Sequence, residues 1–151
     1  MFHRGPRRLI HMMLCLVVVA CGTGGERVLS EEQIREGAEL YRDAVFELAV
    51  TYAPLDSIGE PSPGGGVHGL ADYVESASDA ALVDELLGLC DVLDSGSPAA
   101  ARAEWEADAF QRFGIGETLA SVFSLIPVMA TVWVCPEHGE RVIEYGEGAT
   151  G

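Results

Sequence analysis

Cys135-Pro136-Glu137-His138 sets a thiol and an imidazole three residues apart, and Cys90 and His68 supply a second pair of the same types. Two cysteines and two histidines are enough for a tetrahedral zinc site, and Cys-x2-His on a turn supplies half of one. The other half lacks ligand spacing, because His68 and Cys90 stand far apart in sequence. The same two cysteines can instead close a disulfide or remain free buried thiols. An oxidising compartment favours the Cys90–Cys135 disulfide. Metal binding through Cys90, Cys135, His138 and His68 is the alternative, and no cofactor is expected.

Other chemistry finds little support. There is no Gly-x-Ser-x-Gly elbow and no His-Glu-x-x-His. Gly114-x-Gly116-x-x-Leu119 lacks the third glycine of a dinucleotide fingerprint and follows no strand. Asp91-x-x-Asp94-x-Gly96 departs from the EF-hand pattern and reads as a helix end. Gly64-Gly65-Gly66 is followed by no Gly-Lys-Ser/Thr, so it is no phosphate cradle. The chain contains no lysine, which excludes a lysine Schiff base or lysine general base, and no asparagine, which excludes an N-glycosylation sequon. Codon bias accounts for both gaps in a chain full of Ala, Gly and Arg, with a saline habitat as a contributor. Carboxylates are numerous enough to pair by chance, so their number says nothing about acid–base catalysis.

The N-terminal stretch carries the strongest signal. Arg4, Arg7 and Arg8 give a basic start, and Leu9 to Ala20 is an apolar run broken only by His11. Val18-Val19-Ala20-Cys21 then leads into Gly22-Thr23-Gly24-Gly25. This order is that of a secretory signal peptide over residues 1–20. The run is short for a spanning helix, which needs about 20 apolar residues. With Cys21 directly after a small residue, the stretch resembles the lipobox of bacterial lipoprotein precursors. The resemblance implies cleavage before Cys21, lipidation of its thiol, and a membrane contact made through that lipid. In enterobacterial lipoproteins an aspartate after the cysteine signals retention in the inner membrane. Gly22 stands there, so the resemblance implies an outer-membrane address in a host with two membranes. It covers the targeting segment alone and carries no fold or activity to the remainder.

Cleavage before Cys21 would leave 131 of the 151 residues, enough for one domain with a real core. All 24 acidic residues follow Cys21 and three of the nine arginines precede it, so six arginines face 24 carboxylates, a net charge of −18. A body of that sign repels nucleic acid and anionic headgroups.

The elements read in order as follows. Residues 21–29 form a glycine-rich lipidated tether. Ser30 and Gln33 form a capping box ahead of a helix over about 31–52. Its stripe is Ile34, Ala38, Tyr41, Val45, Leu48 and Tyr52, with a Glu31–Arg35 pair outside. Pro54 stops that helix, and 54–69 is a loop ending at a solvent-facing or capping His68. After a helical turn over 70–75, Ser78 caps a helix with Leu82, Leu86, Leu89 and Leu93 on its stripe and Cys90 facing inward. Ser97 and Pro98 start a third helix, with Ala101, Trp105, Ala109 and Phe113 on one face, Phe110 beside it, and Gly114 as terminator.

Residues 118–135 carry no charge. They read as a buried helix up to Pro127 and then a strand, Thr131 to Cys135. Arg141 to Tyr145 reads as a second strand, and Pro136 to Gly139 as the turn of a β-hairpin. The expected fold is therefore mainly α, a small helical bundle with a C-terminal β-hairpin, in a single domain over 30–146 with a loose tail at 147–151. The expected role is a lipid-anchored, non-enzymatic envelope protein that binds an unknown envelope partner and no nucleic acid. The alternatives are a metal-binding lipoprotein and a small envelope hydrolase.

Overall fold

The computed structural model describes residues 27–56 and 63–149. The expected signal peptide, Cys21 and most of the expected tether lie outside the described residues, as does the end of the expected tail at 150–151. Helix α1 (Glu31–Asp56) opens on the expected capping box: Gln33 N–H donates to Ser30 Oγ at 3.2 Å, and Ser30 N–H donates to the Gln33 side chain at 3.1 Å. Arg35 turns to Glu36 and Glu39 rather than to Glu31. The helix continues through Pro54. A proline that late removes one hydrogen bond from the final turn and leaves the body of the helix intact.

Helix α2 (Gly66–Ser76) begins earlier than expected and takes His68 into its first turn, where it is exposed. It runs back along α1, and Arg42 of α1 caps its far end by donating to the Val74 and Ala77 carbonyls at 2.9 and 3.2 Å. The glycine run that starts α2 has a steric purpose. A Cβ on Gly64 would land on the backbone of Arg112 and Phe113, and Gly65 sits at φ 82°, the left-handed region that favours glycine.

Helices α3 (Asp79–Ser95) and α4 (Pro98–Phe113) follow the expected boundaries, with Ser78 and Ser97 as caps and Gly114 at φ 69° closing α4. Leu82, Leu86, Leu89, Leu93 and Cys90 of α3 are buried, as are Ala101, Trp105, Ala109 and Phe113 of α4. Phe110, expected beside that face, is 63 % exposed.

The C-terminal β-hairpin is not formed. Among the described residues there are no strands. Helix α5 (Glu117–Phe123) breaks at Ser124, and α6 (Leu125–Val134), a 3-10 turn (Pro136–His138) and α7 (Gly139–Ala149) complete the chain. Pro127 lies in the first turn of α6, where the missing N–H would have had no partner in any case. Thr131 and Val132 carry β propensity, but that propensity yields to packing. Val128, Thr131 and Val134 are buried at a spacing of three, as a helix wedged among α1, α3, α4 and α7 requires. In α7, Gly139, Val142 and Gly146 face inward while Glu140, Glu144 and Glu147 face out. That is a helical period rather than a strand's alternation. The helix also runs through 147–149, where a loose tail was expected. Glu117–Val134 has the length and apolar composition of a membrane span, and 44 % of it is buried inside the bundle, where it serves as core.

Gly64→Ala is expected to destabilise the domain by about 1–3 kcal/mol, because the loop must move off the end of α4. A lowered urea midpoint at unchanged slope would show it; an unchanged midpoint would remove this close approach from the account of the fold.

Candidate functional site

Two polar clusters lie along α3, one in its first half and one at its end. The first is built mainly by helices the sequence had defined for other reasons, the second by the end of α3 with segments the sequence had read as tether and hairpin. Near its start, Glu85 lies within the leucine stripe with its side chain only 15 % exposed. Tyr41 of α1 donates to Glu85 Oε1 at 2.7 Å, and Tyr73 of α2 donates to Oε2 at 3.0 Å. The indole N–H of Trp105 in α4 is shared between the Tyr41 hydroxyl at 3.0 Å and Glu85 Oε1 at 3.2 Å. Arg112, at the end of α4, donates to Oε2 at 3.4 Å while stacking on the rings of Tyr73 and Phe113. Burial pushes the Tyr41 phenol well above its ordinary range, and the charge of Glu85 adds to that; Tyr73 is also raised by burial and Glu85, against the opposing hydrogen bond and charge of Arg112.

The other cluster surrounds the predicted chemistry. Cys90 and Cys135 form a disulfide, both buried, with Cα atoms 6.2 Å apart. Immediately beyond them, Asp94, Glu137 and His138 bring a carboxylate or imidazole atom each to within 4.8 Å of one another. Three residues of that kind can hold a cation. Here the cation is Arg27, whose guanidinium donates to Asp94 at 2.7 Å, Glu137 at 3.0 Å and Asp91 at 3.3 Å. His138 Nε2 lies 2.7 Å from the same Asp94 oxygen, and His138 Nδ1 lies 3.1 Å from Arg141. An arginine can only donate, so Nδ1 is the accepting nitrogen and Nε2 carries the proton toward Asp94. The hydrogen bond from His138, opposed by partial burial and joined by the bond and charge of Arg27, holds the Asp94 carboxyl below its usual range. Arg141 also closes the end of α3 by donating to the Leu93 carbonyl at 2.7 Å and the Gly96 carbonyl at 3.1 Å.

The sequence-derived metal set is therefore not assembled. Its two cysteines are bonded to each other and have no thiolate to offer, His138 is engaged by Asp94 and Arg141, and His68 lies apart on α2 beside α1. The sequence had read Asp94 only as part of a helix end, which it is, Glu137 and Arg141 only as members of the expected hairpin, and Arg27 as part of the tether. Glu85 left a readable signal: an acidic residue on a leucine stripe, opposite helices burying a tyrosine and a tryptophan that each need a partner. The chain matches no protein family, no curated protein and no solved structure. Function must be argued from these residues themselves.

Reducing the disulfide, or Cys90→Ser with Cys135→Ser, is expected to cost about 4 kcal/mol, since it reopens a loop whose ends are 45 residues apart. The difference in unfolding free energy with and without a thiol reductant measures it. The raised tyrosines predict alkaline sensitivity. Protons are held more tightly in the folded state, so their contribution is fully present below about pH 10, the unfolded phenol value, and is lost as pH rises through the folded values. Tyr41→Phe should flatten that loss; an equally steep alkaline decline in the variant would remove Tyr41 as its cause.

Proposed function

We propose that this chain is a lipid-anchored protein of the bacterial cell envelope whose acidic helical domain binds a partner without catalysing a reaction. The observation that carries the reading is the buried Cys90–Cys135 disulfide, which belongs to an oxidising compartment and agrees with the export signal and Cys21 that precede it. Arg27 fixes the start of the bundle six residues after Cys21, a reach of roughly 20 Å at full extension. Stable anchoring takes more than one acyl chain, and a diacylated cysteine meets that requirement without membrane affinity in the domain itself. The strongly acidic body would then stand off anionic headgroups while remaining tethered to them. Both polar clusters support a structural use of their residues: each carboxylate, ring nitrogen and hydroxyl in them is engaged by a residue from another segment of the chain. An outer-membrane address follows from Gly22 in a host with two membranes.

The intact mass of the native protein tests this directly. It should equal residues 21–151 plus the acyl groups, less two hydrogens for the disulfide, and Cys21→Ala should abolish the acyl mass and the membrane association of the mature form. A native mass that retains residues 1–20 without lipid would sink the anchoring. Saturable turnover lost on replacing one acidic residue or histidine would overturn the non-catalytic reading.

A further inference from the structure

An open groove of about 430 Å³ runs between α1 and α2, away from both clusters. Phe46, Ala49, Val50 and Ala53 of α1 form one wall and His68 and Ala71 of α2 the other. Val50 is 80 % exposed, and Leu55 just beyond is 55 % exposed. From Phe46 to Pro54 the apolar wall extends roughly 12 Å, about two turns of a helix lying alongside.

The rim of this groove has one sign. Asp43 precedes Val50 by seven residues and Glu47 precedes Pro54 by seven, so each shares its partner's face of α1. On α2, Asp72 and Glu75 follow His68 by four and seven residues and share its face. All four are exposed, and among the described residues no cation lies within ion-pairing distance of any of them. Arg42, the arginine nearest in sequence, is turned to the end of α2 and to Asp79. A second copy of this chain would bring like charges together across the contact, and an anionic lipid surface or nucleic acid would be repelled in the same way.

We propose that the α1–α2 groove is the partner-binding surface, and that its partner is a cationic amphipathic helical segment of another protein. Apolar side chains at helical spacing would enter between Val50 and Ala71, and flanking lysines or arginines would meet Asp43, Glu47, Asp72 and Glu75. This inference rests on the binding-domain reading above and gives it a location and a ligand chemistry.

The test measures fluorescence anisotropy of labelled peptides titrated with the purified native protein. The probe is an 18-residue leucine–lysine peptide of helical period. A scrambled peptide of the same composition and a counterpart with every lysine replaced by glutamine are the comparisons. The helical cationic peptide should bind at least tenfold more tightly than either, and less tightly as salt is raised. Val50→Arg, at a position exposed enough to leave the fold intact, should weaken binding at least tenfold. Asp72→Asn with Glu75→Gln should reduce the salt dependence, and Glu31→Gln with Glu32→Gln at the start of α1 should change affinity less than twofold. Equal binding of the scrambled peptide, or no effect of Val50→Arg, would mean adsorption by charge alone and would overturn the groove. Equal binding of the glutamine peptide would overturn the cationic partner. A native dimer dissociated by Val50→Arg would assign the face to self-association and overturn the proposal. Lipidated, membrane-bound protein that binds none of the peptides would overturn this inference while leaving the anchoring intact.

Discussion

The carboxylate of Glu85 is where four helices meet. It is carried by α3, it accepts hydroxyl protons from α1 and α2, and it accepts the indole and guanidinium protons of α4. A carboxylate so little exposed would be costly if unpaired, and each of its partners would be costly if left without an acceptor. The arrangement therefore works as a register mark: Tyr41, Tyr73, Trp105 and Arg112 reach one side chain only when α1, α2 and α4 lie at one height along α3. Leucine packing alone would tolerate sliding by a turn, whereas this set of bonds would not survive it.

The other end of α3 is fixed by different means to the same purpose. The disulfide ties α3 to the residue that follows α6, which holds the central apolar helix against the bundle. Arg141 and Arg27 then occupy the carbonyl end and the acidic last turns of α3, where cations oppose the helix dipole. At the junction of α5 and α6, Arg102 donates to Ser124 Oγ and to the Ser121 carbonyl, and the Ser124 hydroxyl donates to Glu106. The break beside the core proline is thus closed by α4 rather than left to water.

How much of this could be read in the residues depends on the range of the interaction. Caps at Ser30, Ser78 and Ser97 and the terminator at Gly114 are local, and the helix starts and stops they mark are the ones observed. The leucine and tryptophan faces of α3 and α4 were legible for the same reason. The hairpin was misread because Thr131 to Cys135 presents its strand preference locally, while the helix is imposed by neighbours distant in sequence. Glu140, Glu144 and Glu147 stand at the helical period of α7, whereas Val142-Ile143 between them reads locally as strand. The disulfide was legible because only two cysteines lie beyond Cys21. The clasp around Arg27 was not, since its members come from three separate stretches and none is unusual alone.

The distribution of arginine links the fold to the surface it presents. With no lysine in the chain, arginine is the only permanent side-chain cation, and six follow Cys21. Arg27, Arg42, Arg102, Arg112 and Arg141 each join separate elements, by binding carbonyl oxygens, carboxylates or both; Arg35 alone pairs only within its own helix. Positive charge is thereby drawn to the places where helices meet, and the exposed faces are left to aspartate and glutamate. Those faces repel one another, which works against compactness and is relieved by salt, whose screening length near physiological ionic strength is about 8 Å. The arginine-centred contacts are shorter than that length and partly shielded from water, so added salt weakens them less than it weakens the repulsion. A bundle built in this way should gain stability as ionic strength rises, while any attraction between its acidic faces and a basic partner should decline.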